Sequence, residues 1–229
     1  MRILSYATAA ILACVAPTQA DVVFAYNSTT APDGIEATAT GLGVTASKLE
    51  RGSMLDEQAS LTFNSKNWLR NGDRDMAFIN GSYLQWGFES STGYDLGTLS
   101  FGYDSSHNGP KSIALDANID GTWYRNIFAA SGLSHVGGLA LGLDLSSFTG
   151  VTSATFYLLG WDAKKAKGTF DLEDTLADGT AVSLTGAPVE TADRFAVRRA
   201  PQVAAVPLPA GLPLMLGALA VFGVLRRRR

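Results

Sequence analysis

Short apolar runs recur about every ten residues between positions 21 and 188, separated by Gly, Asn, Asp and Ser. In the run 112–119 the apolar residues 113, 115, 117 and 119 alternate with Ser112, Ala114, Asp116 and Asn118. This period of two is typical of a strand with one buried face. Asp120-Gly121 follows and predicts a tight hairpin turn. With no long helical period and no βαβ rhythm, the sequence predicts an all-β fold, an antiparallel β-sandwich with a jelly-roll-like arrangement.

Eleven runs are predicted as strands, and the region 46–59 as a short helix or an irregular excursion. Asp178-Gly179 predicts a second hairpin between the last two strands. Trp86 shares one face of its run with Leu84 and Phe88, which predicts a core position. The predicted strands are 22–26, 59–63, 76–79, 83–88, 96–103, 112–119, 122–128, 139–143, 151–159, 169–172 and 181–184.

Composition excludes several classes of protein. Charged residues make up 17% and hydrophobic residues 46% of the chain, which excludes wholesale disorder. Residues 21–205 hold 13 basic and 21 acidic residues, a net charge of −8, which argues against a nucleic-acid partner. The single cysteine, Cys14, excludes an internal disulfide framework.

The N-terminus is typical of a secretory signal peptide, residues 1–20. Arg2 precedes a short apolar run, and the small residue Ala20 marks the predicted cleavage site. An uncleaved anchor, a core helix and lipidation at Cys14 are the alternatives.

The C-terminus is typical of a membrane anchor. After a linker at 189–205, an apolar stretch at about 211–225 predicts a single transmembrane helix, and an uncharged proline motif precedes it. The basic cluster 226–229 is expected to stay cytoplasmic under the positive-inside rule. A hydrophobic helix packed on the body is the alternative. The motif is Val206, Pro207, Leu208, Pro209 and Ala210, and the stop-transfer cluster is Arg226, Arg227, Arg228 and Arg229.

This tail, residues 206–229, resembles the VPLPA variant of the PEP-CTERM sorting signals. The resemblance implies recognition by an exosortase-type transpeptidase, transient anchoring in the inner membrane of a Gram-negative bacterium, and removal of the tail. It also implies cargo that reaches the cell surface or the exopolysaccharide outside the cell.

Residues 116–121 match the opening of a calcium loop, with Asp116, Asn118 and Asp120 as candidate ligands. The twelfth position of such a loop, however, is Ile127 rather than a bidentate Glu. The preferred interpretation is a strand and hairpin on which Asp116 and Asn118 face solvent. We therefore expect no cofactor here, with calcium as the alternative.

Aromatic side chains are the candidate ligand-binding groups, because an aromatic face can stack on the apolar face of a sugar ring. Trp68 lies in the polar stretch 64–71 and is the candidate predicted to be most exposed. Trp123 and Tyr124, on opposite faces of one run, are the other two candidates, although each is also compatible with a place in the core.

Catalytic signatures are weak. Ser105, Ser106 and His107 follow Asp104, but their adjacency is typical of a polar turn rather than of a triad assembled in space. A glycosidase pair drawn from Asp73, Asp75, Glu89 and Asp95 is the remaining alternative. The sequence thus predicts a non-enzymatic, exported surface or matrix protein. A carbohydrate-binding module of the matrix is the alternative, followed by a secreted glycan hydrolase.

Overall fold

The computed structural model describes residues 21–29, 31, 33–60, 62–133 and 135–189. The predicted signal peptide, residues 190–205 of the predicted linker and the sorting tail lie outside these residues. Within the described part of the chain, no helix is both long and apolar enough to cross a membrane. The strands are β1 (Asp21–Tyr26), β2 (Ala39–Thr40), β3 (Val44–Ala46), β4 (Glu50–Arg51), β5 (Asp56–Glu57), β6 (Phe63–Lys66), β7 (Tyr83–Ser105), β8 (Ser112–Ile119), β9 (Thr122–Ser131), β10 (Val136–Asp144), β11 (Val151–Trp161), β12 (Phe170–Leu172) and β13 (Val182–Pro188), and the helix α1 spans Arg74–Asn80.

The strands pair antiparallel in one connected sheet, so the predicted all-β, antiparallel body is confirmed. The 23-residue strand β7 is its spine. The first half of β7 pairs with β11 on one edge and with β3 and β4 on the other. Its second half pairs with β10 on one edge and with β13 and β12 on the other. The sheet continues from β11 through β8 to β9, and from β13 through β1 to β2.

The largest side chains of the buried core are aromatic. The ring of Phe24, on β1, lies 6.1 Å from that of Phe88 on β7 and 6.3 Å from that of Phe156 on β11, although β1 pairs with neither strand. Trp86 is fully buried between Phe101 and Phe156, which confirms its predicted core position. The contacts of Phe24 bring β1 against β7 and β11, two strands with which it is not paired.

The hairpin predicted at Asp120-Gly121 is confirmed. It joins β8 to β9, and both residues have positive φ, 46° and 82°. The second predicted hairpin, at Asp178-Gly179, is wrong: the chain turns there with a φ of 77° at Gly179, but β12 and β13 do not pair with each other. β12 pairs with β6 and β7, whereas β13 pairs with β1 and β7.

The segment 76–79, predicted as a strand, lies in the helix α1. Asp73 caps the first turn, because its carboxylate accepts a hydrogen bond from the Met76 amide at 2.9 Å. Gly81 ends the helix in the left-handed conformation, φ 76°, which glycine adopts without steric cost. Four apolar residues in a row do not distinguish a strand from a short helix, and here the flanking caps decide.

Three other boundaries differ from the prediction. The predicted strands 83–88 and 96–103 are halves of the single strand β7. The predicted strand 59–63 begins only at Phe63, as β6. The region 46–59, predicted as a short helix or an irregular excursion, includes the two-residue strands β4 and β5.

Candidate functional site: a cleft between a short helix and an edge strand

The helix α1 packs on the face of the sheet that points away from the aromatic core. Ala77 is buried against Leu69 and Leu159. Phe78 extends the contact, because its ring lies 5.3 Å from that of Trp123 and 5.4 Å from that of Tyr157. Phe78, Tyr83, Trp123 and Tyr157 together form one set of touching rings, which we call the outer aromatic cluster.

Trp123 is the most exposed member of this cluster. It projects from β9, yet its indole lies 5.3 Å from the ring of Tyr157 on β11, so it reaches across the intervening strand β8. The side chain remains 45% exposed. A large aromatic ring that is fixed by neighbouring rings and still open to solvent is a rigid surface for a ligand.

A cleft of about 400 Å³ lies beside Trp123. The helix contributes an apolar edge, Ile79, which is 80% exposed. Clefts that combine an apolar surface with a few convergent polar groups are the usual form of a ligand site. We call this the α1–β9 cleft; its lining residues are Asp75, Phe78, Ile79, Asp116, Trp123 and Arg125.

The charged groups of the α1–β9 cleft form a chain of ion pairs. Arg74 lies between two carboxylates, with its guanidinium 2.6 Å from Asp75 and 3.6 Å from Asp116. Arg125 reaches the same oxygen of Asp75 from β9, at 3.4 Å. The charges of two positive and two negative side chains therefore cancel within the cleft.

Asp116 is the anchor at the bottom of this network. It is only 4% exposed and accepts a hydrogen bond from the backbone amide of Asn126 at 2.8 Å. Asn126 has a φ of 55° and lies at a β-bulge, where the β8–β9 register shifts. A bulge takes a backbone amide out of the hydrogen-bond pattern between the strands, and here Asp116 accepts the hydrogen bond of that amide. The expectation that Asp116 faces solvent is wrong, because α1 and the bulge cover it.

The charges around Asp75 in the α1–β9 cleft favour a carboxylate that accepts hydrogen bonds from a ligand over one that donates a proton. Hydrogen bonding from Arg74, together with the Arg74 and Arg125 charges, lowers the pKa of Asp75. A glycosidase acid needs the opposite shift, because it must hold a proton near neutral pH. Asp75 is therefore an ionised acceptor of hydrogen bonds.

Trp68, predicted as the most exposed aromatic candidate, is a core residue. It is 1% exposed, its ring meets Phe170 edge to face at 5.3 Å, and its indole N–H donates to the Ser65 carbonyl at 2.9 Å. Its ring also lies over Gly160, where an added Cβ would approach it to 2.6 Å. The polar neighbours of Trp68 in sequence are misleading, because its burial depends on residues that are far away along the chain.

Tyr124 is exposed but does not line the α1–β9 cleft. It projects from the opposite face of β9 from Trp123, and its ring packs edge to face on Phe148 at 4.8 Å. Of the three aromatic candidates, the structure places only Trp123 at the cleft.

The calcium-loop motif is a strand and hairpin, and its two carboxylates serve internal contacts. Asp116 binds the bulge amide and Arg74, as described above. One carboxylate oxygen of Asp120 accepts hydrogen bonds from the backbone amides of Thr152 at 3.1 Å and Ser153 at 2.8 Å, which ties the hairpin to β11.

The polar segment at the end of β7 stabilises the loop that follows the strand. The buried hydroxyl of Ser105 donates to the Pro110 carbonyl at 2.8 Å, and that of Ser106 accepts from the Thr169 amide at 2.9 Å. The His107 ring nitrogen lies 3.3 Å from the Lys164 ammonium, whose charge lowers the pKa of His107.

The four candidate glycosidase carboxylates take separate roles. Asp73 caps α1, Asp75 lines the cleft, Glu89 is exposed on β7, and Asp95 accepts from the Gly150 amide at 2.9 Å.

A further acidic cluster, not identified from the sequence, lies where β12 joins β7. Carboxylate oxygens of Asp104, Asp171 and Glu173 lie within 4.8 Å of one another. Burial is the largest effect on Asp171 and raises its pKa to about 6, and the neighbouring charges of Glu173 and Asp104 act in the same direction. The Thr62 hydroxyl donates to Asp171 at 2.7 Å.

Comparison with protein-family models, with curated proteins and with solved structures gives no match to this chain. The geometry of the α1–β9 cleft and the sequence of the two termini are therefore the features that indicate a function.

Proposed function

We propose that the body of this protein binds a saccharide in the α1–β9 cleft, and that it does so without catalysis. The observation that carries the proposal is Trp123: an indole 45% exposed, fixed by two other rings, beside the charged pair Asp75 and Arg125. A sugar ring presents an apolar C–H face and a rim of hydroxyls. The indole suits the first, and the carboxylate and guanidinium groups suit the second.

Affinity electrophoresis through gels that contain soluble polysaccharides tests this function. We expect the wild-type protein to be retarded by at least one polysaccharide, and the Trp123→Ala variant to bind about fivefold or more weakly, because a stacked aromatic is worth about 1 kcal/mol or more. Tyr124→Ala is the matched control, since it removes an exposed aromatic from the same strand outside the cleft. Migration unchanged by every polysaccharide, or equal losses in the two variants, would contradict the proposal.

We further propose that the protein is exported and sorted to the cell surface or the extracellular polysaccharide. The support is the sequence of the termini: a signal peptide ending at Ala20, and a tail at 206–229 that resembles the exosortase signals. An exosortase-type transpeptidase and, transiently, the inner membrane are the proposed partners. A saccharide-binding body is a suitable cargo, because it would hold the processed protein within that matrix.

Cell fractionation with and without residues 206–229 tests the sorting. We expect the full chain to reach the surface fraction and the truncated chain to be lost from it. Intact-mass measurement of the surface form gives a second readout. A mature protein that still carries the arginine cluster 226–229 would contradict tail removal.

For the body itself we propose a β-sandwich with a jelly-roll-like arrangement. The ring contacts of Phe24 with Phe88 and Phe156 support it, because they join strands that are not neighbours in the sheet. The two halves of β7 would then belong to opposite layers, each with its own set of neighbouring strands.

A further inference from the structure

A row of uncharged polar side chains continues from Trp123 across the sheet. Asn118 on β8 lies opposite Trp123, and Thr155 on β11 lies opposite Asn118. Residues directly opposite in an antiparallel pair project from the same face, so all three share the outer face. The next position in the row is Gly87 on β7, which carries no side chain. We call Asn118 and Thr155 the polar row.

The hydrogen-bonding groups of the polar row are not used internally. Within the described part of the chain, neither the Asn118 amide nor the Thr155 hydroxyl bonds to another protein group, and both residues are half-buried. The amide offers donors and an acceptor, and the hydroxyl offers both functions as well. These are the groups that sugar hydroxyls bind, and they stand beside the exposed indole.

The spacing of the strands sets the length of ligand that this surface accommodates. Neighbouring strands lie about 4.8 Å apart, so the row from β9 to β11 covers about 10 Å. That distance is longer than one sugar ring. A single sugar on Trp123 would therefore leave the far end of the row unoccupied.

Charge restricts the class of sugar. The guanidiniums of Arg74 and Arg125 are paired with the carboxylates of the cleft, and the polar row is uncharged. Residues 21–205 carry a net charge of −8, which repels a polyanion at a distance. A polymer of uronic acids would meet repulsion with little local compensation.

From this arrangement we propose that the ligand is an uncharged glycan chain of several sugar units, stacked on Trp123 and continuing across β8 and β11 over Asn118 and Thr155. The inference rests on the proposed saccharide-binding function and adds the length and charge of the ligand. The polar row acts as a second binding position beyond the indole.

Isothermal titration calorimetry of the full-length protein tests the inference. The probes are neutral cello-, laminari- and manno-oligosaccharides of one to six units, and oligogalacturonates of matched length. We expect affinity for one neutral series to rise about fivefold or more between one and three units, since two added hydrogen bonds are worth about 1–3 kcal/mol. The galacturonates should bind more weakly at equal length and low salt.

Two variants assign the length dependence to the polar row. The double variant Asn118→Ala, Thr155→Val should bind a monosaccharide as the wild type does but lose the gain with length. Thr45→Val is the matched control, because it makes the same change at an exposed threonine on β3, outside the row. The Trp123→Ala variant should lose affinity at every length.

The outcomes separate the inference from the function. Wild-type affinity that does not rise with length, or a double variant that keeps the rise, would overturn the inference while saccharide binding stands. Tighter binding of galacturonates than of neutral chains would contradict the proposal that the ligand is uncharged. If the polysaccharide gels and every oligosaccharide show no binding, the proposed function and this inference fail together.

Discussion

Replacing Asp171 with asparagine should make the protein more stable at pH 8 and leave its stability unchanged at pH 4. Burial, the largest effect, and the charges of Glu173 and Asp104 raise the pKa of Asp171 from 3.8 to about 6 in the folded protein. Between these pH values the folded protein binds more protons than the unfolded chain. The contribution of Asp171 to stability is therefore complete below about pH 4 and is lost as the pH rises through 6.

The magnitude follows from the size of the pKa shift. Two pKa units correspond to about 3 kcal/mol, and solvent screening of this partly buried group reduces that to about 1–2 kcal/mol. The asparagine side chain would keep an oxygen for the Thr62 hydroxyl while removing the charge that faces Asp104 and Glu173. We expect the melting temperature of Asp171→Asn at pH 8 to exceed that of the wild type by about 3–6 °C.

Thermal and urea unfolding of wild type and variant at pH 4 and pH 8 measure the effect. Glu89→Gln is the control, because it removes a negative charge from an exposed position on β7. An Asp171→Asn variant that is stabilised no more than Glu89→Gln at pH 8 would contradict a destabilising charge at Asp171. A difference in stability between Asp171→Asn and wild type that is the same at both pH values would contradict it as well.

Three further substitutions test the core, the hairpin and the cleft. Trp68→Ala should lower the free energy of unfolding by about 3–5 kcal/mol in urea titrations, because it empties the space beside Phe170. Asp120→Ala should lower the free energy of unfolding by about 1–2 kcal/mol at pH 7 and by less at pH 3 in the same assay. Burial is the largest single effect on the pKa of Asp120 and raises it, but the hydrogen bonds from Thr152 and Ser153 together lower it. The stabilisation by the ionised Asp120 is therefore lost as the pH falls. Asp116→Ala should weaken saccharide binding about tenfold by calorimetry, because it removes the contacts with Arg74 and with the Asn126 amide. Asp116→Asn should retain more affinity, because it keeps an acceptor for the Asn126 amide.

Features set by neighbouring residues could be predicted from the sequence. Asp120-Gly121 determines its own turn, because both residues tolerate positive φ. The alternation around Trp86 identifies a buried face without knowledge of its partner. The helix α1 is also predictable from the sequence, because Asp73 is a typical first residue and Gly81 a typical last residue of a helix. The four apolar residues between them, taken alone, indicate a strand.

Features that depend on distant residues could not be predicted. Trp68 is buried by Phe170 and Gly160, and nothing in its own polar surroundings indicates this. The acidic cluster likewise depends on β12 pairing with β7, which places Asp171 opposite Asp104. Strand order over such separations is set by the whole sheet, and sequence period alone does not specify it.

The α1–β9 cleft depends both on features set by neighbouring residues and on features set by distant ones, and Asp116 shows both. The sequence marks Asp116 as a polar alternate on a strand, which is compatible with an exposed position or a calcium ligand. In the fold, its buried carboxylate holds the helix through Arg74 and the bulge of β9 through the Asn126 amide. Arg74 belongs to α1 and Asn126 to β9, so one side chain binds both sides of the cleft. A buried carboxylate is costly unless it is paired, and here its two partners are also the supports of the proposed binding surface. The same contacts that satisfy the charge consequently tie the helix to β9 across the cleft.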